Sequence, residues 1–418
     1  MKQSPARAEY FPESSLGWLD LDDAASRRVG EALKALDEPG TLDPIGLGSV
    51  RDAFADALAP GTSTIQTRLR YFLFIPWICQ RIEKSDTTPT QFAKRLKDDE
   101  ATLINCLRHL GPGKGVQGYS VGEKLKRMPS SAYWGGLRSW RIRTHKASIS
   151  EYSQLLPDIR RQVLVDGSDG TVGAVANSIW AALPAPPANF LEEDINFDLS
   201  QEESGTLIDR IRQSHPKSLL AAACAEPENS SGAESAWDLD GKVINSIVGL
   251  REVVENARCI SEATHGAQLL YNLLVARRAK SELGMETDTS IEERLAGLAE
   301  WSILIQERAS VLMPWANDLN NFWALQPLVG RVHEPARRFI TEITKIAVNN
   351  PDGLANDPKA EDLIVRREIA IKKTRARLGG RAGLMNWDGQ SFGGQLNFRW
   401  PTAKSYLSEL AASLSSTS

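Results

Sequence analysis

Apolar residues recur every three or four positions along most of the chain, the spacing that places them on one face of an α-helix. Helices are predicted over 22–36, 50–58, 91–110, 148–161, 200–213, 243–283, 290–312, 334–349, 360–378 and 402–413. Ser200, with Glu203 three residues later, has the spacing of a capping box. The sequence has no strand-rich region and no repeat of fixed period. The pattern predicts an all-α or α-dominated fold of many helices.

One run, Tyr71–Cys79, is apolar at almost every position and contains Pro76. Its nine residues are too few to cross a bilayer, which needs about 20 apolar residues. We therefore predict a buried helix in the core of a soluble protein, with Thr62 or Ser63 as its N-cap, and no interaction with membranes.

Proline-rich and polar segments divide the helical pattern. Residues 182–187 read Ala-Leu-Pro-Ala-Pro-Pro, and adjacent prolines forbid a helix and favour an extended spacer. An acidic stretch begins at Glu192, and a loop rich in Ser, Glu and Asn follows at 226–232. We predict an N-terminal helical domain over 1–183, a linker and acidic connecting region over 184–240, and a C-terminal long-helix domain with a glycine-rich tail over 241–418.

Composition and charge limit the possible functions. The 418 residues carry a formal net charge of -4, so any nucleic-acid surface must be a local patch. Four cysteines stand far apart without a CxxC pair, which indicates neither a zinc site nor a disulfide framework. No apolar segment typical of a secretion signal follows the first residues. These features predict a cytoplasmic protein with reduced thiols and no structural metal.

Residues 111–146 are the strongest candidate for a functional segment, because basic and aromatic residues alternate there with a single acid, Glu123. Short helices over 121–127 and 131–140 predict a helix-turn-helix-like arrangement near 121–143. Basic side chains bind phosphates, and exposed aromatic rings stack on bases. The predicted nucleic-acid-binding residues are Lys124, Lys126, Arg127, Tyr133, Trp134, Arg138, Arg141 and Arg143. Alternatively, Tyr133, Trp134 and Trp140 are core anchors and the charges form a solvated face.

Two weaker candidates also carry positive charge. A second basic run contains Arg366, Arg367, Lys372, Lys373, Arg375, Arg377 and Arg381. At helical spacing these side chains wrap around the helix, so a solvated, packed helix is the alternative interpretation. The third candidate contains Thr62, Ser63, Thr64, Gln66, Arg68 and Arg70. These residues predict either an anion site at a helix start or simple N-capping.

Complete catalytic sets are missing from the sequence. The five histidines are scattered, and none belongs to an H-x-E or H-E-x-x-H motif. Glu368 and Lys372, with Asp352 upstream, match only loosely the carboxylates and lysine of a Mg²⁺-dependent nuclease. The glycine-rich segment after residue 378 lacks the P-loop signature. We therefore predict no cofactor and no metal site.

Several segments resemble one bacterial family. They are Leu47–Phe54, Pro60–Arg68, Tyr71–Trp77, Pro129–Trp134, Phe190–Glu193 and Leu396–Trp400. The family they resemble is domain-of-unknown-function family six-three-six-one. The resemblance implies a cytosolic protein that is often encoded near helicase and phospholipase-D-like proteins of phage-defence type. It implies no catalytic residue, and the link to defence is one of genomic association.

Together these observations predict a non-catalytic nucleic-acid-binding or adaptor subunit of a bacterial anti-phage defence system. The expected partners are DNA or RNA and other defence proteins, such as the helicase and the phospholipase-D-like protein. Two alternatives stay open at this point: a metal-dependent nuclease or other enzyme, and a purely structural protein–protein subunit.

Overall fold

The computed structural model describes residues 43–415, apart from residues 123, 124 and 126 and the segment 169–178. The helix predicted over 22–36 lies outside the described residues, as do Lys124 and Lys126. In the described part, β structure is limited to a single bridge between Arg143 and Trp180. All of these residues belong to one unit of the chain, and the predicted α-dominated fold is confirmed.

Loops of very different lengths join the helices. Those up to residue 245 are α1 (Gly48–Leu58), α2 (Tyr71–Glu83), α3 (Pro89–Leu107), α4 (Pro129–Ser139), α5 (Ile149–Ser168), α6 (Gln201–Ser214), α7 (Leu219–Ala223), α8 (Pro227–Ser230) and α9 (Gly241–Asn245). The helices that follow are α10 (Leu250–Leu283), α11 (Asp288–Glu307), α12 (Ala309–Asn317), α13 (Asn320–Ala324), α14 (Glu334–Asn349), α15 (Pro358–Lys372), α16 (Arg381–Leu384) and α17 (Trp400–Ser415).

Helix α2 is the centre of the N-terminal core. Residues 71–79 are all buried, which confirms the helix predicted for this apolar run. Phe72 stacks on Trp140 with ring centroids 3.9 Å apart, and Phe74 stacks on Phe190 at 5.9 Å. Burying rings of this size against one another is a large stabilising contribution to a core.

The start of α2 differs from the prediction. The helix begins at Tyr71, so Thr62 and Ser63 do not cap it. They belong to an irregular loop that precedes the helix. Other side chains bind the N–H groups of this loop: the Gln66 amide oxygen accepts from Ser63, and the Tyr133 hydroxyl accepts from Thr67 and Arg68. Because side chains accept from these N–H groups, the backbone does not need to be helical there.

Helix α10 is 34 residues long and forms the axis of the C-terminal part, where α11, α14 and α15 pack against it. The single helix predicted over 243–283 is interrupted just before it. A turn follows α9, and Gly249 is the residue just before α10. Its φ of +80° is a left-handed conformation that separates the turn from α10. At its other end, Gly284 with φ +66° closes α10 as a left-handed glycine cap.

The last helix returns to the N-terminal core. The Tyr406 hydroxyl donates to the Gln66 side chain at 3.1 Å, and the Ser413 and Ser204 hydroxyls lie 2.5 Å apart. The proline-rich segment is also tied to this core, because the Trp77 indole N–H donates to the Pro184 carbonyl at 2.8 Å. The domain boundaries at residues 183 and 240 stay a prediction, which limited proteolysis would test.

Candidate nucleic-acid interface

Helix α4 is the centre of the basic-aromatic segment, whose other described residues lie just before and after it. Pro129 suits the first position of a helix, where no N–H donor is needed. The next residue, Ser130, donates its backbone N–H and its hydroxyl to the buried carboxyl group of Glu100 at 2.5 and 3.0 Å. Glu100 belongs to α3, so a side chain from another helix caps the start of α4. The first of the two predicted short helices, 121–127, falls partly on residues outside the described ones.

Glu100 makes the stability of the fold sensitive to pH. Burial raises its pKa from near 4.5 to about 7, against the opposing effect of the two hydrogen bonds from Ser130. A carboxyl group whose pKa is higher in the folded state stabilises the fold most below about pH 4.5 and loses this contribution as the pH rises through 7. We expect the free energy of unfolding to fall by about 3 kcal/mol from this group between pH 4.5 and 8.

The Glu100→Gln variant tests this expectation, because glutamine keeps an acceptor for Ser130 and does not titrate. Urea unfolding at pH 5 and at pH 8 would give the pH dependence of both proteins. The wild type should lose more stability between these pH values than the variant does. Equal losses would show that Glu100 does not titrate in this range.

The aromatic residues of the segment point into the core. Tyr133 and Trp140 are completely buried, and Trp134 is 8% exposed. Each has an internal hydrogen-bond partner: the Trp134 N–H donates to the Ala147 carbonyl at 3.0 Å, and the Trp140 N–H donates to the Pro60 carbonyl at 2.8 Å. These three rings occupy the positions expected of core anchors.

Arg143 is also internal. Its guanidinium lies 4.7 Å above the Trp134 ring and donates to the carbonyls of His145 and Ala147, the latter at 2.6 Å. A guanidinium has five N–H donors, and here it uses several of them to hold the loop after α4. Arg143 therefore fixes the backbone near the predicted surface and is buried away from solvent.

The remaining basic residues of the segment face solvent. Arg127, Arg141 and Lys146 are exposed, and the half-buried Arg138 donates to the Thr144 carbonyl at 2.6 Å. Among the described residues, no carboxylate lies within ion-pair distance of any of these four cations. The hydrogen bond from Arg138 keeps it beside the loop that carries Lys146. Arg138, Arg141 and Lys146 thus form a basic surface at the C-terminal end of α4.

Arg141 has an unusual backbone conformation. Its φ of +53° is left-handed, and it lies two residues beyond the last residue of α4. Its N–H donates to the Arg138 carbonyl at 3.1 Å, as in the glycine-capped ends of many helices. A side chain other than glycine in this conformation costs about 1 kcal/mol. The helix dipole does not account for an arginine at position 141, because Arg138 already places a cation in the last turn of α4.

The two arginines of the loop between α1 and α2 are paired with carboxylates. Arg70 pairs with Glu203 at 2.7 Å, and Arg68 pairs with Glu409 at 3.1 Å. A cavity of about 360 Å³ beside this loop is lined by Arg68, Phe197, Asp198, Leu199, Ser405, Ser408, Glu409, Ala412 and Ser413. Burial raises the pKa of Glu409 to about 7, although Arg68 opposes this shift. With two carboxyl groups and one guanidinium, the lining does not favour an anion.

The structure brings together one pair that the sequence did not signal, because its members are 76 positions apart. The Ser139 hydroxyl lies 2.8 Å from Nε2 of His215, the geometry of a nucleophile and its base. The same Nε2 lies 2.9 Å from the Ser139 carbonyl oxygen, which can only accept. Nε2 therefore carries the proton and has no lone pair for the hydroxyl. Burial lowers the pKa of His215, so the ring is a neutral donor that ties α6 to α4.

The residues of the nuclease alternative have structural partners. Glu368 is completely buried and accepts a hydrogen bond from the Tyr271 hydroxyl at 2.8 Å. Asp352 accepts one from the Gln306 side chain at 2.7 Å. In the described part of the chain, no three His, Cys, Asp or Glu side chains come together in a way that could hold a metal ion.

Comparison with known proteins places this helical chain in a family. A model of DUF6361, a family of unknown function, matches residues 13–414, and the chain therefore belongs to that family. Neither the curated proteins nor the solved structures contain a match. Among the described helices, none is long and apolar enough to span a membrane.

Proposed function

We propose that this protein is a non-catalytic subunit that binds the phosphate backbone of DNA or RNA through the basic surface at the end of α4. Its setting in this proposal is a cytoplasmic anti-phage defence assembly, with a helicase and a phospholipase-D-like protein as further partners. The observation that carries the proposal is Arg141, an exposed arginine held in a conformation that favours glycine. A residue that the fold alone would disfavour is a candidate for a function.

The geometry favours contacts with phosphates over contacts with bases. Arg127, Arg138, Arg141 and Lys146 offer cationic donors that no described carboxylate neutralises, whereas the neighbouring rings of Tyr133 and Trp134 are buried. Phosphate contacts position a protein on a nucleic acid without reading its sequence. Binding should therefore be sensitive to salt and nearly independent of sequence.

Removing the exposed cations tests the proposal. In a variant with Arg138→Ala, Arg141→Gly and Lys146→Ala, affinity for a mixed-sequence DNA or RNA should fall by about a hundredfold at 50 mM salt. The slope of log K against log salt should become shallower by about 2–3, because the variant makes fewer phosphate contacts and therefore releases fewer counterions when it binds. Fluorescence anisotropy over a range of salt concentrations measures both quantities.

Two controls separate binding from folding. Arg141→Gly alone should raise the melting temperature while it weakens binding, because glycine relieves the left-handed strain. A control variant changes three exposed lysines elsewhere, with Lys94→Ala, Lys97→Ala and Lys345→Ala. It loses the same amount of positive charge and should bind with nearly unchanged affinity. Wild-type protein that binds neither DNA nor RNA at low salt would refute the proposal, as would an equal loss in the lysine control.

One observation favours the adaptor role as a second candidate. Helices α11 and α12 expose several large apolar side chains, and Ile303, at 57%, is the most exposed of them. They are Leu295, Ile303, Leu304, Val311 and Met313. Large apolar side chains exposed on two consecutive helices favour a protein–protein contact. If wild-type protein does not bind nucleic acid, this surface supports the adaptor role.

A further inference from the structure

A second basic surface lies far along the chain from α4, where α15 ends. Residues 369–387 contain five basic side chains and no acidic one. Of these, Lys373, Arg375 and Arg381 are exposed. Within the described residues none of the five takes part in an ion pair. We call residues 372–381 the basic turn.

The basic turn replaces part of a predicted helix. The sequence predicts a helix to residue 378, but α15 ends at Lys372, and Lys373 has φ +53° and ψ -122°. The buried carboxylate of Glu368 accepts the N–H groups of Arg377 at 3.0 Å and Leu378 at 2.7 Å. These N–H groups would donate to helical carbonyls if the helix continued. The Glu368 side chain thus draws the backbone after Lys372 out of the helix.

Lys373 repeats the feature seen at Arg141. Its combination of φ and ψ is one that glycine adopts readily and other residues avoid, at a cost of about 1–3 kcal/mol. The cation is not needed to balance the helix dipole, because Lys372 already occupies the last turn of α15. Two basic residues therefore stand in strained positions immediately after helices, and both are exposed.

The basic turn is held rigidly from several sides. The Arg377 guanidinium lies 3.9 Å from the centre of the Phe392 ring, and Arg278 donates to the Leu378 carbonyl. Gly383 packs so closely that a Cβ there would collide with the Ala376 carbonyl oxygen. A backbone that is already ordered loses little conformational entropy when a ligand binds, so less of the binding free energy is lost to ordering.

We propose that the basic turn is a second phosphate-binding surface, which contacts the sugar–phosphate backbone of DNA or RNA. This inference rests on the proposed function, since it adds a contact region for the same class of ligand. Arginine outnumbers lysine among the five cations by three to two. The planar guanidinium binds phosphate oxygens in pairs, which suits a polymer of phosphates. An acidic lipid surface favours a long amphipathic helix, whereas the exposed cations here lie in the turn between α15 and the four-residue α16.

The test removes the three exposed cations in a variant with Lys373→Gly, Arg375→Ala and Arg381→Ala. Its affinity for a mixed-sequence DNA duplex, single-stranded DNA or single-stranded RNA should fall by about a hundredfold at 50 mM salt. The salt slope should become shallower by about 2–3 for the nucleic acid that the wild type binds. Lys94→Ala, Lys97→Ala and Lys345→Ala serve again as the control of equal charge.

Two single variants separate charge from shape. Lys373→Gly should raise the melting temperature and weaken binding, because it relieves the strain and removes one cation. Gly383→Ala keeps every charge but forces the Ala376 carbonyl to move, so it should weaken binding without any change in net charge. If Gly383→Ala does not fold, Lys373→Gly still tests the proposal.

The outcomes distinguish this inference from the proposed function. If the wild type binds no nucleic acid, both fail. If the variant of the α4 surface loses affinity while the basic-turn variant binds like the lysine control, only the inference is refuted. It is also refuted if the basic-turn variant retains its affinity for nucleic acid but loses binding to phosphatidylserine vesicles, which would identify the turn as a membrane contact.

Discussion

Replacing Trp134 with alanine is expected to lower the free energy of unfolding by about 3–5 kcal/mol. The ring is almost fully buried and contacts the rings of Tyr152 and Trp180, with centroids 5.7 and 5.9 Å away. The Arg143 guanidinium covers one of its faces. Truncation would leave a cavity and would also remove the indole donor from the Ala147 carbonyl. Urea denaturation followed by circular dichroism measures the loss.

Trp134→Phe is the matched control, since it keeps an aromatic ring and removes the indole N–H. It should lose less stability than the alanine variant, because much of the cavity stays filled. The opposite result would be informative about function. If Trp134→Ala melts like the wild type but loses about 1–3 kcal/mol of affinity for nucleic acid, the ring stacks on a base and is not a core anchor.

Breaking the buried ion pair between Arg70 and Glu203 should have an effect of similar size. Their side chains are 10% and 6% exposed, and the guanidinium also donates to the Asn196 carbonyl at 3.1 Å. Removing one partner leaves an uncompensated buried charge, so Arg70→Ala should lower the free energy of unfolding by about 3–5 kcal/mol. The pair joins the start of α2 to α6, and the loss should therefore appear as a change in global stability.

Double variants test whether the pair or the lone charge matters. Arg70→Met combined with Glu203→Leu replaces both charges with apolar side chains, and it should be more stable than either single variant. Glu203→Gln is a milder control, because it keeps an acceptor for the Ser200 N–H of the α6 capping box. An Arg70→Ala variant as stable as the wild type would contradict this account.

The helices themselves could be predicted from the sequence because their signals are local. The helix predicted over 334–349 coincides with α14, whose apolar residues follow the helical period. The capping box at Ser200 and Glu203 forms as predicted, since both hydrogen bonds join residues three positions apart. The burial of α2 was also predictable, because a run that is apolar on every side cannot face water.

The candidate site was only partly predictable. The sequence showed that residues 111–146 combine basic and aromatic side chains, and the structure places the Arg141 cation outside and the Trp134 ring inside. Which side of a short helix is buried depends on what packs against it. For α4 these neighbours are α2 and the loop before α2. Phe72 of α2 stacks on Trp140, and the Pro60 carbonyl of the loop accepts the Trp140 indole N–H. Such contacts leave no periodic signal in a helix of eleven residues.

Helix ends and strained residues were decided by the tertiary structure, because their hydrogen-bond acceptors come from distant positions. Glu100 caps α4 from another helix, and Glu409 accepts the Leu69 N–H from 340 residues away. Glu368 ends α15 early only because it is buried beside Tyr271, which holds its carboxylate toward the turn. Local sequence preferences contain no information on these partners, and the energy of a buried hydrogen bond exceeds the small preference of a residue for one backbone conformation.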